Sequence, residues 1–283
     1  MTGVAIAAIL AVAAAVLAAI LLPPLLRGRR RRQAYERTLP EAMDEAMERN
    51  VPLVTALPDT ERHRLDALVI AFLDEKQFVG CNGLEVTDEV RVTIAAQACL
   101  LLLGRPRSLY DELQSILVYP SAFFVEDEVH DEAGVVTPRR RELSGEAWDS
   151  HRIILSWEDI ADTAQRPADG YNVVLHEFAH YLDAEGLGLA VGAARGLEGW
   201  RNAMLEEYEA LRATVDRGED TFLDPYGAED ETEFFAVATE EFIECSADLA
   251  AAMPKLYALM REFYGIDPAR WGYDPPAEAT GRG

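Results

Sequence analysis

The first pattern along the chain is an unbroken apolar run over residues 4–22, which holds 19 residues and no charge. A helix over this run is about 28 Å long, roughly the thickness of a bilayer core. Five arginines follow at positions 27 and 29–32, and by the positive-inside rule this flank stays in the cytoplasm. The competing interpretation, a cleaved signal peptide with an exported body, expects a basic start and a shorter run. We therefore predict a single-pass protein of the inner (plasma) membrane, with the lipid bilayer around residues 4–22 and a cytoplasmic catalytic domain.

Behind this run, apolar residues recur at helical spacing in several segments. The pattern predicts helices over residues 60–77, 90–103, 172–183, 197–215, 231–251 and 256–264. Short apolar runs predict strands over residues 112–118, 122–125 and 152–157. The predicted class is α+β, mostly helical with a small sheet. We divide the chain into a transmembrane helix with its flank (1–26), a basic and polar linker (27–44) and one domain (45–283).

Charge and cysteine content narrow the function. The chain has 26 Lys+Arg and 50 Asp+Glu, and residues 1–34 hold five of the bases and no acid, so the remainder carries 21 − 50 = −29. A body of this charge repels phosphate backbones, which excludes nucleic acid as a main partner. The three cysteines, Cys81, Cys99 and Cys245, form no C-x-x-C pair. Neither a thiolate zinc site nor a disulfide framework is therefore predicted.

The candidate chemistry lies in the segment VVLHEFAHYLD at positions 173–183, which contains H-E-x-x-H. On a helix, His176 and His180 lie on one face and can bind one zinc ion together. Glu177 lies about 100° round the helix from His176, where it reaches a metal-bound water as general base. A chance match on a surface helix is the alternative. The apolar neighbours instead predict a buried helix, in which histidines need partners.

A catalytic zinc site uses three protein ligands, so one more is needed. No third histidine follows at the close spacing of H-E-x-x-H-x-x-G-x-x-H, and we therefore expect a carboxylate from another helix. The candidates lie within residues 224–244 and are Glu229, Glu231, Glu233, Glu240, Glu241 and Glu244. Glu233 directly precedes an apolar run and can face inward, and Glu240 shares its face. Spacing alone leaves the choice open, and a solvated face is the ordinary interpretation of the others.

Two acids are candidates for supporting a metal ligand. Asp183 is three residues after His180 and seven after His176, so it shares the ligand face, where a carboxylate can fix an imidazole. Glu240 can act in the same way from the other helix. Ordinary solvation at a helix end is the alternative for Asp183.

Several stretches together resemble the Mlc titration factor A family of zinc peptidases, whose catalytic core is related to anthrax lethal factor. The resemblance covers about residues 46–271 and is carried by VPLVTALPDTERHRL, ILVYPSAF, RIILSWEDI, VVLHEFAHYLD, Tyr226-Gly227 and EFFAVATEEF. H-E-F-A-H-x-L-D followed by E-F-F-A-V is a specific combination. The apolar N-terminal run is a departure, because the best-known members of the family are soluble.

The resemblance implies a gluzincin-like zinc peptidase core with one Zn2+ per chain, held by His176, His180 and Glu233. It also implies cleavage of short peptides from the amino end, as in an aminopeptidase. Tyr226 matches a tyrosine of the lethal factor pattern that stabilises an oxyanion or protonates the leaving amine. The alternative for Tyr226 is a packed loop aromatic. The strand at residues 152–157 is implied to be an edge strand that binds substrate by β-augmentation.

Two functions therefore compete. The first is a membrane-anchored zinc-dependent metallopeptidase that acts on a peptide or protein substrate. The second is a regulator-binding protein with a mainly structural zinc site, since the family name implies binding of a sugar-responsive transcriptional repressor. An intact Glu177 favours the enzyme, because a structural site needs no base and usually closes with four ligands.

Overall fold

The computed structural model describes residues 10, 11, 17, 22, 25–104, 109–121, 123–130, 136–143, 145–149, 151–184 and 198–273. These residues are mostly helical, with a small and largely parallel sheet. The helices are α1 (25–34), α2 (Glu41–Asn50), α3 (Asp59–Glu75), α4 (Asp88–Leu100), α5 (Trp157–Gln165), α6 (Val173–Ala184), α7 (Glu198–Asp216), α8 (Glu231–Glu244), α9 (Ser246–Ala252) and α10 (Pro254–Tyr264). The strands are β1 (Gln77–Gly80), β2 (Ser115–Tyr119), β3 (Phe123–His130), β4 (Val136–Leu143), β5 (Gly145–Asp149) and β6 (Arg152–Ser156).

The main sheet has the strand order β1-β2-β6-β5, and β3 and β4 pair separately as an antiparallel ladder. β2 is parallel to both β1 and β6, whereas β5 is antiparallel to β6. The expected edge strand at residues 152–157 is therefore wrong, because β6 has a neighbour on each side. In the part of the chain that the structure describes, β5 forms the edge of the sheet on that side. An apolar run identifies a strand but not its neighbours.

The H-E-x-x-H helix, α6, is fixed from behind by aromatic packing. The Phe178 ring lies 5.9 Å from the Phe72 ring and 4.7 Å from the Tyr110 ring, measured between centroids. The Tyr181 ring lies 5.6 Å from that of Tyr110. Tyr110 is held in turn, because its hydroxyl donates to the Ala98 carbonyl at 2.8 Å. This packing connects α6 to α3 and α4 and sets which face of α6 stays open.

The single helix predicted over residues 231–251 is two helices, α8 and α9, which meet at Cys245. Cys245 has φ −121° and ψ 40°, outside the helical region. Its thiol donates to the Ala168 carbonyl at 3.2 Å, in the turn before α6. Apolar spacing continues through both helices, so periodicity does not reveal a break that accompanies a tertiary contact.

The predicted transmembrane helix and the inner-membrane location need correction. Among the described residues, no helix is both long enough and apolar enough to cross a bilayer. Of the run 4–22 itself, only residues 10, 11, 17 and 22 are described, and the rest lies outside the described part.

The basic flank of this run has partners in the body of the protein. The guanidinium of Arg31 contacts Glu75 at 2.8 and 2.9 Å and also pairs with Asp111. Arg37 pairs with Asp74. Arg31 is one of the arginines that predict a flank on the cytoplasmic side of a membrane, but its guanidinium is bonded to carboxylates of the body.

Candidate metal centre

The capping of α6 orients its histidines. Asn172 precedes the helix, and its Oδ1 accepts the Leu175 N–H at 3.0 Å. Its carbonyl accepts the His176 N–H at 2.9 Å. Most of α6 is buried, whereas the side chains of His176 and His180 keep 14% and 18% of their exposure. The helix therefore presents two imidazoles on its one accessible side.

A third candidate ligand lies in the first turn of α8. Asp230 caps this helix, because its Oδ1 accepts the N–H groups of Thr232 at 2.8 Å and Glu233 at 2.9 Å. Glu233 Oε2 lies 3.1 Å from His176 Nε2 and 3.3 Å from His180 Nε2. The two Nε2 atoms are 3.0 Å apart. We call these three atoms the ligand triangle.

The ligand triangle has the dimensions of a tetrahedral zinc site. Bonds of about 2.0–2.1 Å at tetrahedral angles place ligand atoms roughly 3.3 Å apart, and the observed separations are 3.0–3.3 Å. Glu233 Oε2 is buried and accepts no well-directed hydrogen bond from the described residues, although two ring nitrogens are near. A metal ion held by the three atoms of the ligand triangle would give this oxygen a partner. This is the one such group of His, Cys, Asp and Glu side chains in the described part of the chain.

Glu240 lies behind the first imidazole. Its Oε1 is 2.8 Å from His176 Nδ1, and its side chain is buried. A carboxylate in this place keeps the proton on Nδ1 and leaves the Nε2 lone pair for the ligand triangle. Burial lowers the pKa of His176, but the carboxylates of Glu233 and Glu240 outweigh it and raise the pKa to about 10. A metal ion bound at His176 Nε2 would have to displace a proton, so its affinity would depend on pH.

The charges around the ligand triangle also fix the state of Glu233. Burial raises the pKa of this carboxyl, but the imidazoles of His176 and His180 outweigh burial and hold the pKa well below its usual range. Glu233 is therefore a carboxylate, which is the form that binds a metal ion.

Glu177 lies on α6 next to His176 but outside the ligand triangle. Its side chain is buried, with 5% exposure. Its negative charge contributes to the raised pKa of His176, which places the carboxylate in the electrostatic environment of the centre. A buried carboxylate that lies beside three potential ligands, but does not belong to that group, is suited to proton transfer.

Tyr226 lies in a 3-10 turn, Pro225–Ala228, shortly before α8. Asp224 Oδ1 accepts the Tyr226 N–H at 2.8 Å and fixes the turn. The Tyr226 ring is 6.0 Å from the His176 ring between centroids, and the residue is 39% exposed. The turn packs closely, because a Cβ on Gly227 would come within 3.3 Å of Val237. The chain thus brings an accessible tyrosine to the edge of the centre.

The other acids of this region lie elsewhere. Glu229 is exposed, and Glu231 pairs with Arg201 at 3.3 Å. Glu241 is buried within α8. Asp183 is fully buried on α6, and its role as a support for a ligand stays a prediction.

Sequence reasoning missed one part of this site. Asn172 and Asp230 stand where helix N-caps are expected, so their caps were readable from sequence. The bond between Asn172 Nδ2 and Glu244 Oε1, at 2.8 Å, joins residues 72 positions apart, and no local pattern predicts it.

Known proteins match this chain along most of its length. A family model described as glucose-regulated metallo-peptidase M90 matches residues 25–265. An uncharacterized protein of Synechocystis sp. is 37% identical over 249 residues, which is 84% of this chain and 89% of the relative. Mlc titration factor A of Pectobacterium atrosepticum is 33% identical over 225 residues, and that of Klebsiella pneumoniae subsp. pneumoniae is 33% identical over 224. Each of these two matches covers 77% of this chain and 84% of the relative.

Proposed function

This chain belongs to the glucose-regulated metallo-peptidase M90 family, and on that basis we propose that it is a zinc-dependent peptidase. In this proposal His176, His180 and Glu233 hold one zinc ion, within a catalytic domain at residues 45–283. Zinc bound there supplies a Lewis acid that polarises a peptide carbonyl and makes a water molecule more acidic. The family supports a metallopeptidase role, while the choice of zinc and the activity are the proposal.

Three residues around the ligand triangle have further roles in the proposed reaction. Glu177 accepts a proton from the attacking water and delivers it to the leaving amine. The Tyr226 hydroxyl donates a hydrogen bond to the carbonyl oxygen as negative charge develops there. Glu240 keeps the proton of His176 on Nδ1, so that Nε2 stays available.

The observation that carries the proposal is the ligand triangle itself, with three atoms from two helices no more than 3.3 Å apart. Glu177 beside it favours catalysis over a structural role. A structural zinc site closes with four protein ligands, whereas the described residues supply a group of three.

The direct test measures metal content and peptide hydrolysis on the full chain. We expect about one zinc per chain, the number for a single site of three ligands. Hydrolysis should stop on chelation and return with zinc. Each peptide is supplied with a free and with an acetylated amino end, because cleavage from the amino end requires the free form. A protein that binds zinc but hydrolyses no peptide contradicts the enzyme proposal.

Replacing Glu233 by glutamine should weaken zinc binding strongly. The amide keeps the size of the side chain but carries no charge and is a poor ligand for a divalent cation. Glu231→Gln is the matched control, since Glu231 occupies the same helical turn but pairs with Arg201. Zinc dissociation constants from competition with a chelator give the comparison. Equal affinities in the two variants would remove Glu233 from the site.

Replacing Tyr226 by phenylalanine should lower turnover by about 10²–10³-fold, the usual cost of losing one donor to a developing oxyanion. Zinc content and KM should change little, because the ring and its packing remain. Tyr171→Phe is the matched control, as Tyr171 is similarly exposed but lies before α6. If turnover in Tyr226→Phe equals that of the control, Tyr226 is a packed loop residue.

The names of two relatives support a second candidate function, binding of a transcriptional regulator by this chain. The two functions can be separated with one variant. A binding protein keeps its partner when Glu177 becomes glutamine, whereas a peptidase loses turnover. A pull-down of the candidate regulator with wild type and variant, beside the hydrolysis assay, assigns the chain to one function, to the other or to both.

A further inference from the structure

Asn172 is a junction between the two helices of the centre. It is 1% exposed, and its side chain is used at both ends, because Oδ1 caps α6 at Leu175 N and Nδ2 donates to Glu244 Oε1. Its backbone N–H donates to Glu240 Oε2 at 2.5 Å. Glu240 Oε1 is the atom next to His176 Nδ1. One residue therefore bonds both carboxylates that α8 directs at the start of α6.

Glu244, one helical turn after Glu240, holds the same junction from the other side. Its Oε1 accepts from Asn172 Nδ2 at 2.8 Å, and its Oε2 accepts the Ala168 N–H at 3.1 Å. Ala168 has φ +65°, which is unusual for a residue with a side chain, so the turn before α6 needs such support. Burial raises the pKa of Glu244 to about 7, against the opposing effect of these two bonds.

We propose that Asn172 and Glu244 are positioning residues, which hold Glu240 against His176 and thereby set the metal affinity of the centre. The inference rests on the proposed zinc site but not on the peptidase reaction. If the backbone N–H of Asn172 shifts, Glu240 loses the bond to its second oxygen and no longer fixes the imidazole. We expect the shift to weaken metal binding through two hydrogen bonds, the one from the Asn172 N–H to Glu240 and the one between Glu240 and His176 Nδ1.

The polarity of these bonds makes the inference testable. A carboxylate at 244 only accepts, and both of its neighbours donate. In Glu244→Gln, an NH2 group replaces one acceptor oxygen. This group must face one of the two donors, Asn172 Nδ2 or the Ala168 N–H. In Asn172→Asp, the cap at Leu175 N survives, but a new carboxylate faces that of Glu244. When both changes are combined, the amide at 244 donates to the carboxylate at 172 and still accepts from Ala168 N. The bond is restored with its direction reversed and the net charge unchanged.

The experiment is a double-mutant cycle on the full chain at pH 8, where Glu244 is ionised. Changes around a metal ligand typically weaken binding by about 10–100-fold, and we expect each single variant to lose about 10-fold in zinc affinity. The combined variant should return to within about threefold of wild type, because neighbours in one network couple. Cys245→Ala is the control, since it removes a contact to the same turn but leaves Asn172 bonded. Its zinc affinity should match wild type.

A second readout does not depend on metal. In the metal-free protein, the proton on His176 Nδ1 gives an NMR signal whose position reports its bond to Glu240. Both single variants should shift this signal, and the combined variant should move it back. If the single variants lose thermal stability but keep their zinc affinity and the NMR signal, Asn172 and Glu244 only cap α6, and the inference is wrong. A combined variant no better than the weaker single variant would also overturn the inference.

The outcomes separate this inference from the proposed function. A wild type that binds zinc and hydrolyses nothing contradicts the peptidase, while the cycle in zinc affinity still decides the positioning role. A wild type that binds no zinc contradicts the metal site, and the NMR signal of His176 then decides whether the pair orients the imidazole.

Discussion

Replacing Glu177 by glutamine is expected to abolish most peptide hydrolysis while zinc stays bound. The change removes the proton acceptor but keeps the shape of the side chain, and Glu177 is not part of the ligand triangle. General base catalysis is typically worth about 10²–10⁴-fold. We expect turnover to fall by at least this amount, since the attacking water also loses the group that orients it.

The measurement combines kcat, zinc content and thermal stability on the same preparations. Glu231→Gln serves as the matched control, because it makes the same chemical change near the centre on a side chain that pairs with Arg201. Zinc content should be equal in wild type, variant and control. Near-normal turnover in Glu177→Gln would contradict the peptidase mechanism and favour regulator binding. Loss of zinc in this variant would instead mean that Glu177 helps to hold the metal.

The elements that build the site were predictable because they depend on local patterns. The ranges predicted for α6 and for the start of α8 differ from the observed ones by no more than a residue or two. Helical spacing alone places His176 and His180 on one face of α6. The choice of Glu233 among six glutamates is different, because it depends on where α8 lies against α6. There the family resemblance, and not spacing, indicates Glu233, and its role as a ligand stays a prediction.

What the sequence did not reveal is tertiary in origin. The neighbours of β6, the break at Cys245 and the bond between Asn172 and Glu244 each depend on contacts between distant segments. The positive-inside rule likewise counts Arg31 as a topology signal, whereas in the folded chain this side chain is partly buried between two carboxylates.

Replacing His180 by alanine should remove zinc and all the stability that zinc confers. A ligand that binds only the folded state stabilises it by about 4 kcal/mol at a concentration 1,000 times its Kd. For a chain of this size that corresponds to a rise in Tm of about 8 °C. The variant should show no zinc-dependent rise and no hydrolysis, because two of three ligands do not hold the ion in the geometry the reaction needs.

His180 is a cleaner choice than His176 for this test. In the part of the chain that the structure describes, the ring nitrogens of His180 lie near His176 and Glu233, whereas His176 also bonds the buried Glu240. Removing His176 would leave Glu240 Oε1 buried without its partner, although Oε2 keeps the Asn172 N–H, and would lower stability for a reason unrelated to zinc. His63→Ala, at an exposed position on α3, is the control and should keep the full rise. An equal zinc-dependent rise in His180→Ala and His63→Ala would place the metal elsewhere. A rise in Glu177→Gln that matches wild type would separate metal binding from proton transfer within a single turn of α6.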